Sequence, residues 1–207
     1  MDISKNKATL SGMITHDPEF SHRIKRQAFY ETSIAVKRFS GVEDVIPIMI
    51  AENMRYFDLI RKGEHLKVSG SYLSHGHMGD DGKKHMTFYL FVNSVEESDG
   101  EDENKIHLSG YLVSKPTCRM TPVSAQKISD FILVSNRKNR KSAYIPVIAW
   151  NENAEYASAL EIGEPVEISG MITSRAYEKQ LEDRKETRIA YEVSAYYIGS
   201  IEGVLHE

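Results

Sequence analysis

The chain repeats itself. Leu10-Ser11-Gly12 returns as Leu108-Ser109-Gly110, and Pro18 returns as Pro116. Ser33-Ile34-Ala35-Val36 aligns with Phe131-Ile132-Leu133-Val134, and Ile46-Pro47-Ile48 with Ile145-Pro146-Val147. Gly63-Glu64 followed by Val68-Ser69-Gly70 aligns with Gly163-Glu164 followed by Ile168-Ser169-Gly170. The landmarks keep their order while the offset grows from 98 to 100, as expected of two copies of one domain with small loop insertions. Two small domains suit 207 residues better than a single irregular one. The expected boundaries are residues 1–95, a linker at 96–104, and residues 105–203.

The linker, Glu96-Glu97-Ser98-Asp99-Gly100-Glu101-Asp102-Glu103-Asn104, holds no apolar residue and is mostly acidic. Such a segment cannot bury enough surface to offset its ordering entropy, so it reads as a solvated hinge, or else as an anion mimic for a basic groove. It also carries much of the net charge of −4, so the two repeats are close to neutral, which disfavours a generally basic coat but leaves local patches open.

Each copy alternates apolar and polar residues, the period of a half-buried strand. Ala8, Leu10, Gly12 and Ile14 correspond to Ile106, Leu108, Gly110 and Leu112. A second strand carries Ile34 and Val36, or Ile132 and Val134. A third carries Ile46, Ile48 and Ile50, or Ile145, Val147 and Ala149. A short helix follows, with Asn151 as its cap, Ala154, Ala157 and Leu160 at helical spacing, and Gly163 at its end. Its first-copy equivalent offers Met54, Phe57, Ile60 and Gly63. Two more strands pass through Val68-Ser69-Gly70 and Met86–Val95, or Ile168-Ser169-Gly170 and Ile189–Ile201. The expected class is all-β: two tandem OB-fold five-stranded barrels, each with a short helix between strands three and four.

The outer face of the third strand carries aromatics in copy two. Tyr144 and Trp150 share that face, and Arg175 and Tyr177 project together from the fourth strand. Bases stack on such rings whatever their sequence. Arg137, Lys138, Arg140 and Lys141 lie between strands two and three, and Lys179, Arg184, Lys185 and Arg188 between strands four and five, where cations can hold phosphates. Copy one is poorer: Val45 and Ala51 replace Tyr144 and Trp150, and His75 and His77 replace Arg175 and Tyr177. Phe39 with Lys37 and Arg38 compensates in part. The second domain should therefore bind more strongly.

Other chemistry is sparse. His75, His77 and His85 with Asp80 or Asp81 form a metal-like group, but a closed site needs a further ligand and no Cys pair is present, so they read as surface histidines. No metal, cofactor or small-molecule substrate is expected, and no enzyme, since neither a phosphate-binding Gly loop nor a nuclease-type acidic cluster occurs. No apolar stretch reaches the length of a membrane span, no signal-peptide core opens the chain, and Cys118 has no partner for an internal disulfide. A cytoplasmic protein without membrane contact is expected.

Both copies resemble the bacterial single-stranded DNA-binding protein family. The resemblance is clearest in Tyr144-Ile145-Pro146-Val147-Ile148-Ala149-Trp150, then Ala154-Glu155-Tyr156, then Gly163-Glu164-Pro165-Val166-Glu167-Ile168-Ser169-Gly170. It places Tyr144, Trp150 and Tyr177 on the family's three aromatic positions. It implies sequence-tolerant binding of single-stranded DNA in replication, recombination or repair, and a homodimer that completes a set of four OB-folds. The family's Gly/Pro/Gln-rich tail with an acidic tip has no match in Gly203-Val204-Leu205-His206-Glu207. The alternative is therefore a primosome-type or mobile-element accessory protein whose barrels mainly mediate protein assembly.

Overall fold

Glycines at the Leu-Ser-Gly landmarks let each barrel close. In the computed structural model, which describes residues 5–79, 82–122, 124–136, 142–180 and 185–201, strand β1 (Asn6–Ile14) pairs with β5 (His65–Met78) and then, at its end, with β3 (Gln27–Lys37). A Cβ on Gly12 would strike the Ala35 carbonyl oxygen, and one on Gly110 the Val134 carbonyl oxygen. Only glycine allows the strands to approach so closely at the crossing. β4 (Glu43–Ala51) and β6 (Lys84–Glu97) complete the first barrel, paired in parallel with each other and antiparallel with β3 and β5. Inside lie Leu10, Ile14, Ile34, Val36, Ile46, Ile48, Val68 and Leu90, the residues of the period-two pattern.

The second copy follows the same plan with β7 (Glu103–Leu112), β9 (Lys127–Asn136), β10 (Ser142–Trp150), β11 (Pro165–Gln180) and β12 (Lys185–Ser200). The fold is the expected pair of five-stranded OB barrels, with additions. Each copy gains a short edge strand, β2 (Glu19–Ile24) on β3 and β8 (Thr117–Met120) on β9. Neither buries a face, so neither shows an alternating pattern. The helix is present only in part. Copy two has α1 (Glu152–Ser158), with Ala154 and Ala157 buried. Copy one has a single 3-10 turn at Phe57–Leu59. There Met54 and Phe57 stand where small alanines let α1 lie flat on its barrel, and Tyr56 takes a left-handed backbone conformation that helices do not accommodate.

The strands of the two hairpins, β5–β6 and β11–β12, run further than the sequence pattern shows. Their outer ends leave the barrels as two-stranded arms, so Lys179, Lys185 and Arg188 lie on strands rather than in a loop.

The barrels join through an antiparallel ladder of β1 and β7. Ala8 faces Ile106, its own counterpart, while Asn6 faces Leu108 and Leu10 faces Asn104. This register is that of a two-fold axis between the repeats. Side chains follow the same symmetry. Asn6 bonds both the N–H and the C=O of Tyr72, at 2.7 Å each, and Asn104 does the same to Ile172, at 2.9 and 2.7 Å. Residues 96–104, expected to be solvated, hold the end of β6 and the start of β7. Asp102 accepts from the Lys37 backbone N–H at 2.6 Å and lies 2.8 Å from His65, and Glu103 pairs with Lys67 and Lys105. The two lysines, Lys105 foremost, hold the Glu103 carboxyl below the usual range.

Candidate nucleic-acid interface

The outward face of the second barrel is built from four adjacent strands. In β9 and β10, Ile132 pairs with Pro146 and Val134 with Tyr144. In β11 and β12, Thr173 pairs with Glu192, Arg175 with Ala190, Tyr177 with Arg188, and Lys179 with Glu186. Side chains directly opposite in an antiparallel ladder share a face. Arg175, Tyr177, Lys179 and Arg188 thus lie on one side of the arm. Lys185 sits on the other, against Glu178 at 3.0 Å, and Arg188 is held by Glu186 at 2.9 Å. Tyr144 is 48% exposed and Tyr177 38%. Trp150 is half-buried, its Nε1–H donating to Ser194 Oγ at 3.0 Å, which fixes the indole against β12. Arg137, Lys138, Arg140, Lys141 and Arg184 lie outside the described residues.

Carboxylates also occupy this face. Glu192 stands between β10 and the arm, and Asp130 lies beside it on β9, bonded to Arg119 at 2.8 Å. Burial raises the pKa of Glu192, against the opposing pull of Arg175. No aromatic motif signals an acid in such a position.

The residues proposed on the first barrel's β3–β4 turn divide. Phe39 is fully exposed at its tip, and the Lys37 side chain is exposed at the end of β3. Arg38 is committed elsewhere: it forms a fork of 2.6 and 2.7 Å on Asp44, which has no exposed surface. The Asp44 hydrogen bond raises the guanidinium pKa further. Asp44 also accepts from the Ser174 backbone N–H at 2.6 Å, which ties the second barrel's arm to β4. Symmetrically, the Tyr144 N–H donates to Ser74 Oγ at 2.8 Å, and the Val45 N–H to Ser174 Oγ at 3.3 Å. Each arm crosses to the free edge of the other barrel's third strand, so the two outward faces meet.

The first barrel's face carries aromatics that its third strand does not reveal. Phe29 faces Ala51 across β3–β4, and Phe91 lies 6.1 Å from Phe29, between ring centroids. In strand register Phe91 takes the place of Ser194, and Tyr89 that of Glu192. The aromatic surface has moved from the third strand to its neighbours. A run of three aromatics, Phe88-Tyr89-Leu90-Phe91, has no alternation from which a face can be assigned.

Residues 103–198 match the model of the single-strand binding protein family. A single-stranded DNA-binding protein of Clostridium tetani (strain Massachusetts / E88) is 32% identical over 81 residues. That match covers 36% of this chain and 56% of the relative, so the chain spans about half the length of the curated relative it matches. The wild-type single-stranded DNA binding protein from Thermus aquaticus superimposes with a TM-score of 0.78 at 20% identity, over 99% of this chain and 96% of that one. A deletion mutant of the same protein gives 0.76 at 22%, over 100% and 98%. At these identities the likeness is one of fold, and it extends over both barrels. Residues 103–198 thus match the single-strand binding protein family, and they are joined in one chain to a first barrel of the same fold.

Proposed function

We propose that the chain binds single-stranded DNA with little regard to sequence, chiefly through the outward face of the second barrel. The observation that carries this is the placing of exposed Tyr144 and Tyr177 with Arg175 on one continuous face. Stacking needs unpaired bases, and the nearby cations release condensed counterions on binding. Phe39 and Lys37 extend the contact from the first barrel. The relative and the matched structures are single-stranded DNA-binding proteins, which supports the same ligand. The role is protective, covering exposed strands during replication, recombination or repair, and no covalent chemistry is assigned to it. The test is competition for a labelled oligo-dT. Unlabelled single strand should displace it far better than duplex of the same length, and affinity should fall as salt rises. Equal displacement by both at physiological salt overturns the proposal.

A further inference from the structure

We propose that the β5–β6 arm of the first barrel is a second single-strand site, in which His75, His77 and His85 stack on bases and, once protonated, grip phosphates. The inference rests on the single-strand reading above and adds a site to it. The three imidazoles form one stack on one side of the arm. His75 and His77 lie 6.4 Å apart with ring planes at 8°, and His77 and His85 lie 5.9 Å apart at 28°. His77 is directly opposite His85 in the ladder. Register with the second barrel shows what they replace: His75 stands at the position of Arg175, His77 at that of Tyr177, and His85 at that of Arg188. Two guanidiniums and a phenol have become three rings of the one type that changes charge between about pH 5 and 8. The stack also continues a face rather than standing alone. Tyr89 and Phe91 follow it along β6, and Ser74, one residue before His75, docks on the backbone of Tyr144. A strand leaving Tyr144 on the second barrel thus meets the arm next.

Neighbouring groups set the background. The arm carries Lys83, Lys84 and Tyr89; the elements packed against it carry Lys7 on β1, Glu43 and Asp44 on β4, and Tyr144 on β10. Asp44 is engaged by Arg38. Among the described residues no group of His, Cys, Asp and Glu has the arrangement of a metal site, so the proposed ligand is the nucleic acid.

The experiment measures anisotropy of rhodamine-labelled oligo-dT with the full chain at pH 8.0 and pH 5.5, at constant ionic strength. A control variant, Glu192→Gln, removes that carboxylate's own titration. In this background, acidification should tighten binding about tenfold, the worth of one or two charge-assisted contacts. Adding His75→Gln and His77→Gln should abolish most of that gain and, because two stacking rings are lost, also weaken binding at pH 8.0 by about fivefold or more. Both positions are exposed, so the fold should persist, as unchanged near-ultraviolet circular dichroism would verify. Binding at pH 8.0 with an acid gain that survives both substitutions overturns the arm's role alone. Absence of binding at either pH overturns the single-strand reading beneath it.

Discussion

At the scale of single residues, the candidate interface separates rings free to meet a base from rings already engaged. Tyr144 and Tyr177 are free; Trp150 donates to Ser194 and packs on β12. Replacing either tyrosine by alanine should weaken oligo-dT binding by about 1–3 kcal/mol, roughly five- to 150-fold, with little change in thermal stability. Equilibrium titration of each variant checks this, and wild-type affinity in both would remove the stacking role. Glu192 supplies a second prediction. Its carboxylate places negative charge on the face where phosphates are proposed to run, and its pKa is raised because burial disfavours the charged form. The unfolded chain therefore ionises first as pH rises, and stability falls as pH passes upward through the unfolded and then the folded pKa. Glu192→Gln should tighten DNA binding at neutral pH and flatten that part of the stability profile. Measured affinity and melting temperature between pH 4 and 8 provide the check; weaker binding in the variant would show that the carboxylate organises Arg175 instead of opposing the ligand. Tyr144 and Tyr177 were legible because period two assigns their faces. Glu192 was not, because whether an acid is desolvated depends on strands brought together only by the fold.

At the scale of elements, the arms decide how the barrels are coupled. Ser74 and Ser174 each cap the free edge of the other barrel's third strand, and Asp44 reinforces one side with Arg38 and the Ser174 N–H. Asp44→Ala would leave the Ser174 N–H and a partly exposed guanidinium without their acceptor. Breaking such a pair costs about 3 kcal/mol, which for a chain of this length lowers the melting temperature by roughly 6–12 °C. Thermal melts of Asp44→Ala and Asp44→Asn test it; equal stability of Asp44→Ala and wild type would mean that the arm docks without this link. The barrel strands could be anticipated because each has one buried face, which imposes alternation. β2 and β8 bury no face and leave no such trace. The arms were hidden for a related reason: beyond Ser74 and Ser174 neither side of a hairpin is buried in its own barrel, and exposed Met78, Met86 and Ile189 interrupt any apolar–polar alternation. Apolar spacing predicts the helix in both copies, but spacing does not register that Met54 and Phe57 are too bulky for the place that Ala154 and Ala157 fill.

At the scale of the whole molecule, the β1–β7 register makes the chain an internal dimer. A tandem repeat that keeps a two-fold axis between its halves has the symmetry of two separate barrels meeting through the same strand. The sheet runs β2-β3-β4-β6-β5-β1-β7-β11-β12-β10-β9-β8, so β1 and β7 protect each other and the unpaired edges fall on β2 and β8. Those end strands expose Phe20, Ile24 and Met120, and an open edge with apolar side chains favours association. Tyr196 and Tyr197 on β12 and Tyr156 on α1 add further exposed aromatic surface. We therefore expect two chains to pair about a second axis, giving four barrels, since a two-fold is the commonest symmetry of soluble oligomers. Sedimentation equilibrium without DNA should yield a mass near twice the 23.5 kDa chain at micromolar concentration. A mass of one chain would show that the internal pair is sufficient, and a mass of four chains would show that assembly continues beyond four barrels. Charged substitutions separate the candidate contacts: if the β2 and β8 edges form the interface, Phe20→Lys with Met120→Lys should reduce the particle to one chain, whereas Tyr196→Lys with Tyr197→Lys should leave the dimer intact.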